Sequence, residues 1–130
     1  MNDANRRLNA LAELEVAREA LGEAETLFEK GLLRGSVSRS YYALFHAVKA
    51  LLLSQGLEAR THHGVETLFS LHFIRAGELP AEWAALFARL QGYREQADYG
   101  PVLGASREIV RRELDEVACF HDLIRARLGA

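Results

Sequence analysis

Between Lys30 and Leu57 the chain carries four basic side chains, Lys30, Arg34, Arg39 and Lys49, and neither an aspartate nor a glutamate. On a helix turning about 100° per residue, Arg39, Tyr42, His46 and Lys49 fall within roughly 80° of one another. Two cations, an imidazole and a phenol on one strip make a local positive potential suited to phosphate and base contact in RNA or a nucleotide. The alternative is a solvated helix face whose acids lie across the molecule on another helix.

Two further clusters hold chemistry-bearing residues. In Arg60-Thr61-His62-His63 the threonine can cap a helix, and His62 then stands four residues before Glu66, a spacing that could chelate a metal. No third ligand has a sequence signal, so no metal is expected. In Arg94-Glu95-Gln96-Ala97-Asp98-Tyr99 the arginine and Asp98 are one turn apart and can pair, giving either a plain intrahelical ion pair or an oriented, anion-binding guanidinium with a phenol nearby. His121 falls on an apolar stripe and reads as a core or interface histidine. Cys119 has no His or Asn at a motif spacing and reads as a buried small hydrophobe. With no Gly-rich phosphate loop, nucleophile elbow or HExxH, no cofactor is expected.

The elements that must position these groups are helices. Only Pro80 and Pro101 interrupt the 130 residues, and no stretch alternates apolar and polar with period two. A first helix is expected from about Asp3 to Lys30 on a stripe of Leu8, Leu11, Ala17, Leu21, Ala24 and Phe28. A second starts at Ser36 or Ser38 and runs to Gln55, with Gly56 as a left-handed stop and Leu57 folding back. Its core face is Val37, Tyr41, Leu44, Phe45, Val48, Leu51 and Leu52. A short apolar segment follows from Thr61 to Gly77, then a helix opened by Pro80 and ended by Gly100-Pro101, then a last one capped by Ser106. The predicted fold class is all-α, an up-and-down bundle of four long helices and one short one in a single domain over 1–130.

Composition fits that expectation: 49% hydrophobic and 26% charged residues describe a globular chain, and a net charge of −2 carries no global field toward nucleic acid. One cysteine excludes an internal disulfide. No apolar run reaches a bilayer span and Met1 to Arg7 has no signal-peptide core, so a cytoplasmic location is expected. Trp83, Phe87 or Phe120 near the surface of such a bundle would mark an interface, and a homodimer is expected.

Three stretches in order, Ser38-Arg39-Ser40-Tyr41-Tyr42-Ala43-Leu44-Phe45-His46-Ala47, Thr61-His62-His63-Gly64 and Arg94-Glu95-Gln96-Ala97-Asp98-Tyr99, make the chain resemble a stand-alone HEPN domain. The resemblance runs from about Ala10 to Leu128. It implies a bundle of four to five helices, commonly dimeric, that handles RNA or nucleotides. Many such domains are metal-independent ribonucleases with an R-x4-6-H motif, and many are toxins encoded beside a minimal nucleotidyltransferase that can modify a tyrosine near that motif. The active-site arginine carries over to Arg94, but the positions after four, five and six intervening residues are Tyr99, Gly100 and Pro101. Arg39 and His46, with six residues between them, meet the spacing on a different helix.

The residues expected to act are therefore Arg94 and His46 as catalytic groups, with Arg39, Tyr42, Lys49, His62, Asp98 and Tyr99 contacting nucleotide or RNA. The function this resemblance implies is that of the toxin-type member of a toxin–antitoxin pair with a nucleotidyltransferase, in which Tyr99 or Tyr42 would accept the modification. A non-catalytic nucleotide- or RNA-binding or partner-docking helical module is the alternative. A third, unrelated reading makes His46 a phosphotransfer histidine, since His46-Ala47-Val48-Lys49-Ala50 is similar to H-x-L-K-G with Ala50 in place of glycine.

Overall fold

The structure is a computed structural model that describes residues 2–130. Five α-helices follow one another: α1 (Asp3–Glu29), α2 (Leu33–Ser54), α3 (His62–Phe69), α4 (Glu82–Tyr99) and α5 (Arg107–Arg127). Among the described residues there is no strand, and α3 continues into a π-helical turn at Ser70–Ile74. No described helix is long and apolar enough to cross a membrane. The helices pack as an all-α bundle around α2, which touches α1, α3, α4 and α5.

Helix α1 lays a small-residue face on α2. Its buried positions are Ala10, Leu14, Ala17, Ala20, Ala24 and Phe28, and α2 answers with Ala43, Ala47 and Ala50, all nearly free of solvent contact. Alanine on both sides lets two backbones approach closely. Ala17, Ala24 and Phe28 of the expected stripe are buried and Leu11 and Leu21 half-buried, whereas Leu8 is 65% exposed and Ala10, Leu14 and Ala20 complete the buried face. The hairpin closes sharply at Gly31 (φ 75°), where the Leu32 N–H reaches the Leu27 carbonyl at 2.9 Å. As a result α2 begins directly at Leu33 with no side-chain cap. Ser36, expected to cap it, instead donates its buried hydroxyl to the Ala24 carbonyl at 2.9 Å and ties the two helices together.

The other ends follow the expected chemistry. Gly56 (φ 74°) stops α2, and the Leu57 N–H returns to the Leu52 carbonyl at 2.9 Å. Thr61 caps α3 and Ser106 caps α5. Helix α4 starts two residues after Pro80, whose carbonyl accepts from the Trp83 N–H. Phe87 and Phe120 are buried within the chain, 2% and 0% exposed, and half-buried Trp83 packs on Phe120 at 5.2 Å between ring centroids. Phe87 and Phe120 therefore belong to the internal packing, contrary to the surface position expected for them. Cys119 is exposed rather than buried, because it lies one position off the Val117–Phe120–Ile124 stripe. His121 is on that stripe and buried.

Three helix C-termini are closed by arginines from other elements. The last turns of α1 and α4 contain no basic residue of their own. Arg34, at the start of α2, places Nη1 2.8 to 3.1 Å from the carbonyls of Gln96, Ala97 and Gly100, and Nη2 2.8 Å from that of Pro101. Arg7 donates to the Leu128 carbonyl at 2.7 Å, and Arg107 donates to that of Phe28 while lying over its ring. Each satisfies carbonyls that a helix end leaves without partners and complements its dipole. Arg34→Ala should therefore lower stability by roughly 1–3 kcal/mol in urea unfolding, and Arg34→Lys should recover only part of it, since an ammonium cannot span the same fork of carbonyls.

Candidate functional site

Because α2 is buried on most of its circumference, its polar strip is a narrow seam rather than an open face. Arg39, Tyr42, His46 and Lys49 are all half-buried there. The strip does have a carboxylate: Glu13 of α1 accepts from His46 Nδ1 at 2.6 Å and from Lys49 Nζ at 3.3 Å. The acid missing from residues 30–57 thus lies on the adjoining helix. The His46 hydrogen bond holds the Glu13 carboxyl below its ordinary value, against the opposing effect of burial, with Lys49 assisting. An ionised carboxylate only accepts, so Nδ1 of His46 carries the hydrogen, and in the neutral ring Nε2 is the lone-pair nitrogen.

His62 sits on the other side of Phe45. Capping by Thr61, which accepts from the Gly64 N–H at 2.9 Å, sets the first turn of α3. A Cβ at position 64 would come within 3.0 Å of the Thr61 hydroxyl and 3.1 Å of Ala59 Cβ, which accounts physically for the glycine of the T-H-x-G turn. The His62 ring stacks on Phe45 at 4.2 Å and 13°, and Phe45 meets the His46 ring edge-on at 5.3 Å. Nδ1 of His62 is 2.9 Å from the Tyr41 hydroxyl. Tyr41 is fully buried, and burial pushes its phenol up to about 12. Burial and then the charge of Arg94 push the His62 imidazole down, with His46 and Lys49 adding to the effect. The phenol therefore donates, Nδ1 of His62 accepts, and Nε2 of His62 bears the hydrogen. With both rings neutral, the two imidazoles beside Phe45 hold opposite tautomers, a lone pair at Nε2 of His46 and an N–H at Nε2 of His62.

Arg94 of α4 completes the cluster. Its guanidinium lies over the Tyr41 ring at 4.7 Å, and Nη1 is 3.5 Å from an Asp98 carboxylate oxygen. Its Nε is buried without a hydrogen-bond partner among the described residues. The phenol beside Arg94 is thus Tyr41, not Tyr99, which is 81% exposed at the end of α4. Arg39 lies over the Tyr42 ring at 4.7 Å, and Tyr42 meets His62 edge-on at 6.3 Å. Contacts therefore connect Arg39, Tyr42, His62, His46, Lys49, Arg94 and Asp98, and leave Tyr99 outside. Tyr41 and Glu13 join them without having been singled out from sequence. A phenol on the core face and an acid on a different helix give no local signal. Glu66, four residues beyond His62, faces the Gln91 amide, and among the described residues no three His, Cys, Asp or Glu side chains converge.

Residues 10–126 match the family model described as the HEPN domain. A UPF0332 protein of Thermotoga maritima is 35% identical over 108 residues, 83% of this chain and 82% of that one. A protein of Methanocaldococcus jannaschii named "Putative toxin" is 40% identical over 86 residues, 66% of this chain and 64% of its own length. A UPF0332 protein of Pyrococcus horikoshii is 45% identical over 71 residues, 55% of this chain. The matches span 64% and 50% of the lengths of these two archaeal relatives. The chain belongs to the HEPN domain family.

His62 and Glu13 act on stability in different pH windows. His62 has a lowered folded-state value, so the unfolded chain takes its proton first, and stability falls as the pH drops below about 6.5. Glu13 is also lowered, and its contribution is intact above about 4.5 and lost below that. His62→Asn keeps an acceptor for Tyr41 but cannot titrate. Urea midpoints for this variant should vary less between about pH 7 and pH 5 than those of the unsubstituted chain.

Proposed function

We propose that this HEPN protein is a toxin-type, metal-independent endoribonuclease whose active groups are His46, His62, Tyr41 and Arg94. The observation that carries the reading is the pair of oppositely oriented imidazoles, one held by Glu13 and the other by Tyr41. RNA cleavage through the 2′-hydroxyl requires a base at that hydroxyl, donors at the non-bridging phosphate oxygens and a proton for the 5′ oxygen. His46 Nε2 takes the 2′-hydroxyl proton, and the new imidazolium is stabilised by Glu13 as in other carboxylate–imidazole pairs. The 2′ oxygen bonds to phosphorus and the bond from phosphorus to the 5′ oxygen breaks. That oxygen receives the Nε2 proton of His62, while the Tyr41 hydroxyl proton moves to Nδ1. The resulting phenolate lies beneath the Arg94 guanidinium, and the proton held by His46 returns to the site through solvent. Arg39 holds a flanking phosphate, and Lys49, paired with Glu13, contacts the adjoining nucleotide.

The name of the Methanocaldococcus jannaschii relative supports the toxin assignment. We extend it to a nucleotidyltransferase-type partner that silences the toxin by modifying a tyrosine, and to a homodimer whose two copies share the RNA. Exposure makes Tyr99 the more accessible acceptor, with Tyr42 half-buried beside His62. The phosphotransfer reading has less support, since His46 Nδ1 is engaged by Glu13 and Ala50 is fully buried.

Cleavage of a labelled single-stranded RNA in the presence of EDTA tests the nuclease. His46→Ala and Arg94→Ala should each lower the rate by about 10²–10⁴-fold. Tyr41→Phe should do the same on ordinary RNA but recover on a substrate with a 5′-thio leaving group, which needs no acid, whereas His46→Ala should not recover. RNA binding without cleavage by the unsubstituted protein would establish a binding module instead.

A further inference from the structure

A groove of about 550 Å³ opens directly beside the Glu13–His46 pair, between α1, the end of α2 and the loop leading to α3. Its volume lies in the range of small-molecule sites, roughly 300–1,000 Å³. Glu13 and Lys49 form its end nearest His46. Leu52, Leu57 and Val16 give it an apolar lining, and Val16 is 42% exposed, large for a valine at the middle of a helix. Arg60 borders it from the loop, exposed and without an acidic partner among the described residues.

We propose that this groove is a base-binding subsite for the RNA nucleotide next to the scissile phosphate. The inference rests on the nuclease reading and adds to it where the strand lies. The four charged side chains around the groove, Glu13, Lys49, Glu58 and Arg60, sum to zero. A neutral groove with an apolar lining does not concentrate free phosphate, but it accepts a planar, uncharged ring with polar edges. Aliphatic side chains cover the faces of such a ring, while Lys49 donates and Glu58 accepts at its rim. Arg60, exposed and without an acidic partner among the described residues, reaches the phosphate on the far side of that nucleotide. The position of Glu13 and Lys49 at both the groove and the dyad makes the subsite continuous with His46, so an occupied groove holds the adjoining ribose at the base. Sequence preference at one position beside the cut would follow from the shape and rim of this groove.

The test compares binding of a fluorescein-labelled 12-nucleotide RNA, blocked against cleavage by 2′-O-methyl groups, to the unsubstituted chain, Val16→Glu and Arg60→Gln. Both substitutions are at exposed positions, and unfolding temperatures verify the fold. Binding should weaken at least tenfold for Val16→Glu and about threefold to tenfold for Arg60→Gln, and RNA should shift the amide resonances of Leu57 to Arg60. Unchanged affinity in Val16→Glu, with shifts confined to residues around Arg94 and His62, would overturn the subsite while leaving the nuclease reading intact. No RNA binding by the unsubstituted chain would remove both.

Discussion

The hydrogen bond from the Tyr41 hydroxyl to His62 is the contact on which the arrangement of the site depends. A phenol without solvent contact must find an acceptor inside the molecule, and the start of α3 supplies one. That single bond fixes the His62 tautomer, anchors a short helix to the central one, and defines the ring over which the α4 arginine lies. Three separate elements meet at one side chain that is itself part of the core. The candidate site is therefore anchored on a fully buried side chain, which packing holds in place.

The near-complete enclosure of α2 explains why its polar residues behave as they do. A helix packed on four others has little circumference left for charge, so each polar group in the remaining seam is bordered by a neighbouring helix. Glu13 answers His46 and Lys49 from α1, His62 and Tyr42 meet from α3 and α2, and Arg94 enters from α4. The seam orients its groups through pairs rather than through exposure, and Glu13 has the same orienting effect on one imidazole that Tyr41 has on the other.

Much of the bundle was legible in the sequence, because helix ends are written in local chemistry. Gly56 with Leu57, Thr61, and Ser106 each announce a boundary that the structure keeps. What local pattern did not carry was pairing between helices. On α1 the C-terminal part of the stripe, Ala17, Ala24 and Phe28, is legible, while Leu8 draws the pattern off the buried face that Ala10 and Ala20 occupy, because alanine contributes little to hydrophobic periodicity. The same limit affected the site. Arg39, His46 and Lys49 stood out by type and spacing, whereas Glu13 and Tyr41 acquire meaning only when α1, α2 and α3 are brought together. Counting cations also overstated the free charge: Arg34 is committed to the carbonyls of α4 and Lys49 to Glu13.

The arginines that close other helices' ends have a consequence for how the molecule opens. A helix capped by its own residues can fray alone, but here the end of α4 is fastened to the start of α2, the end of α5 to the start of α1, and the end of α1 to the start of α5. Loosening any one terminus releases a second on a different helix. Amide hydrogens at each tied pair of ends should then exchange with solvent together, at a common free energy.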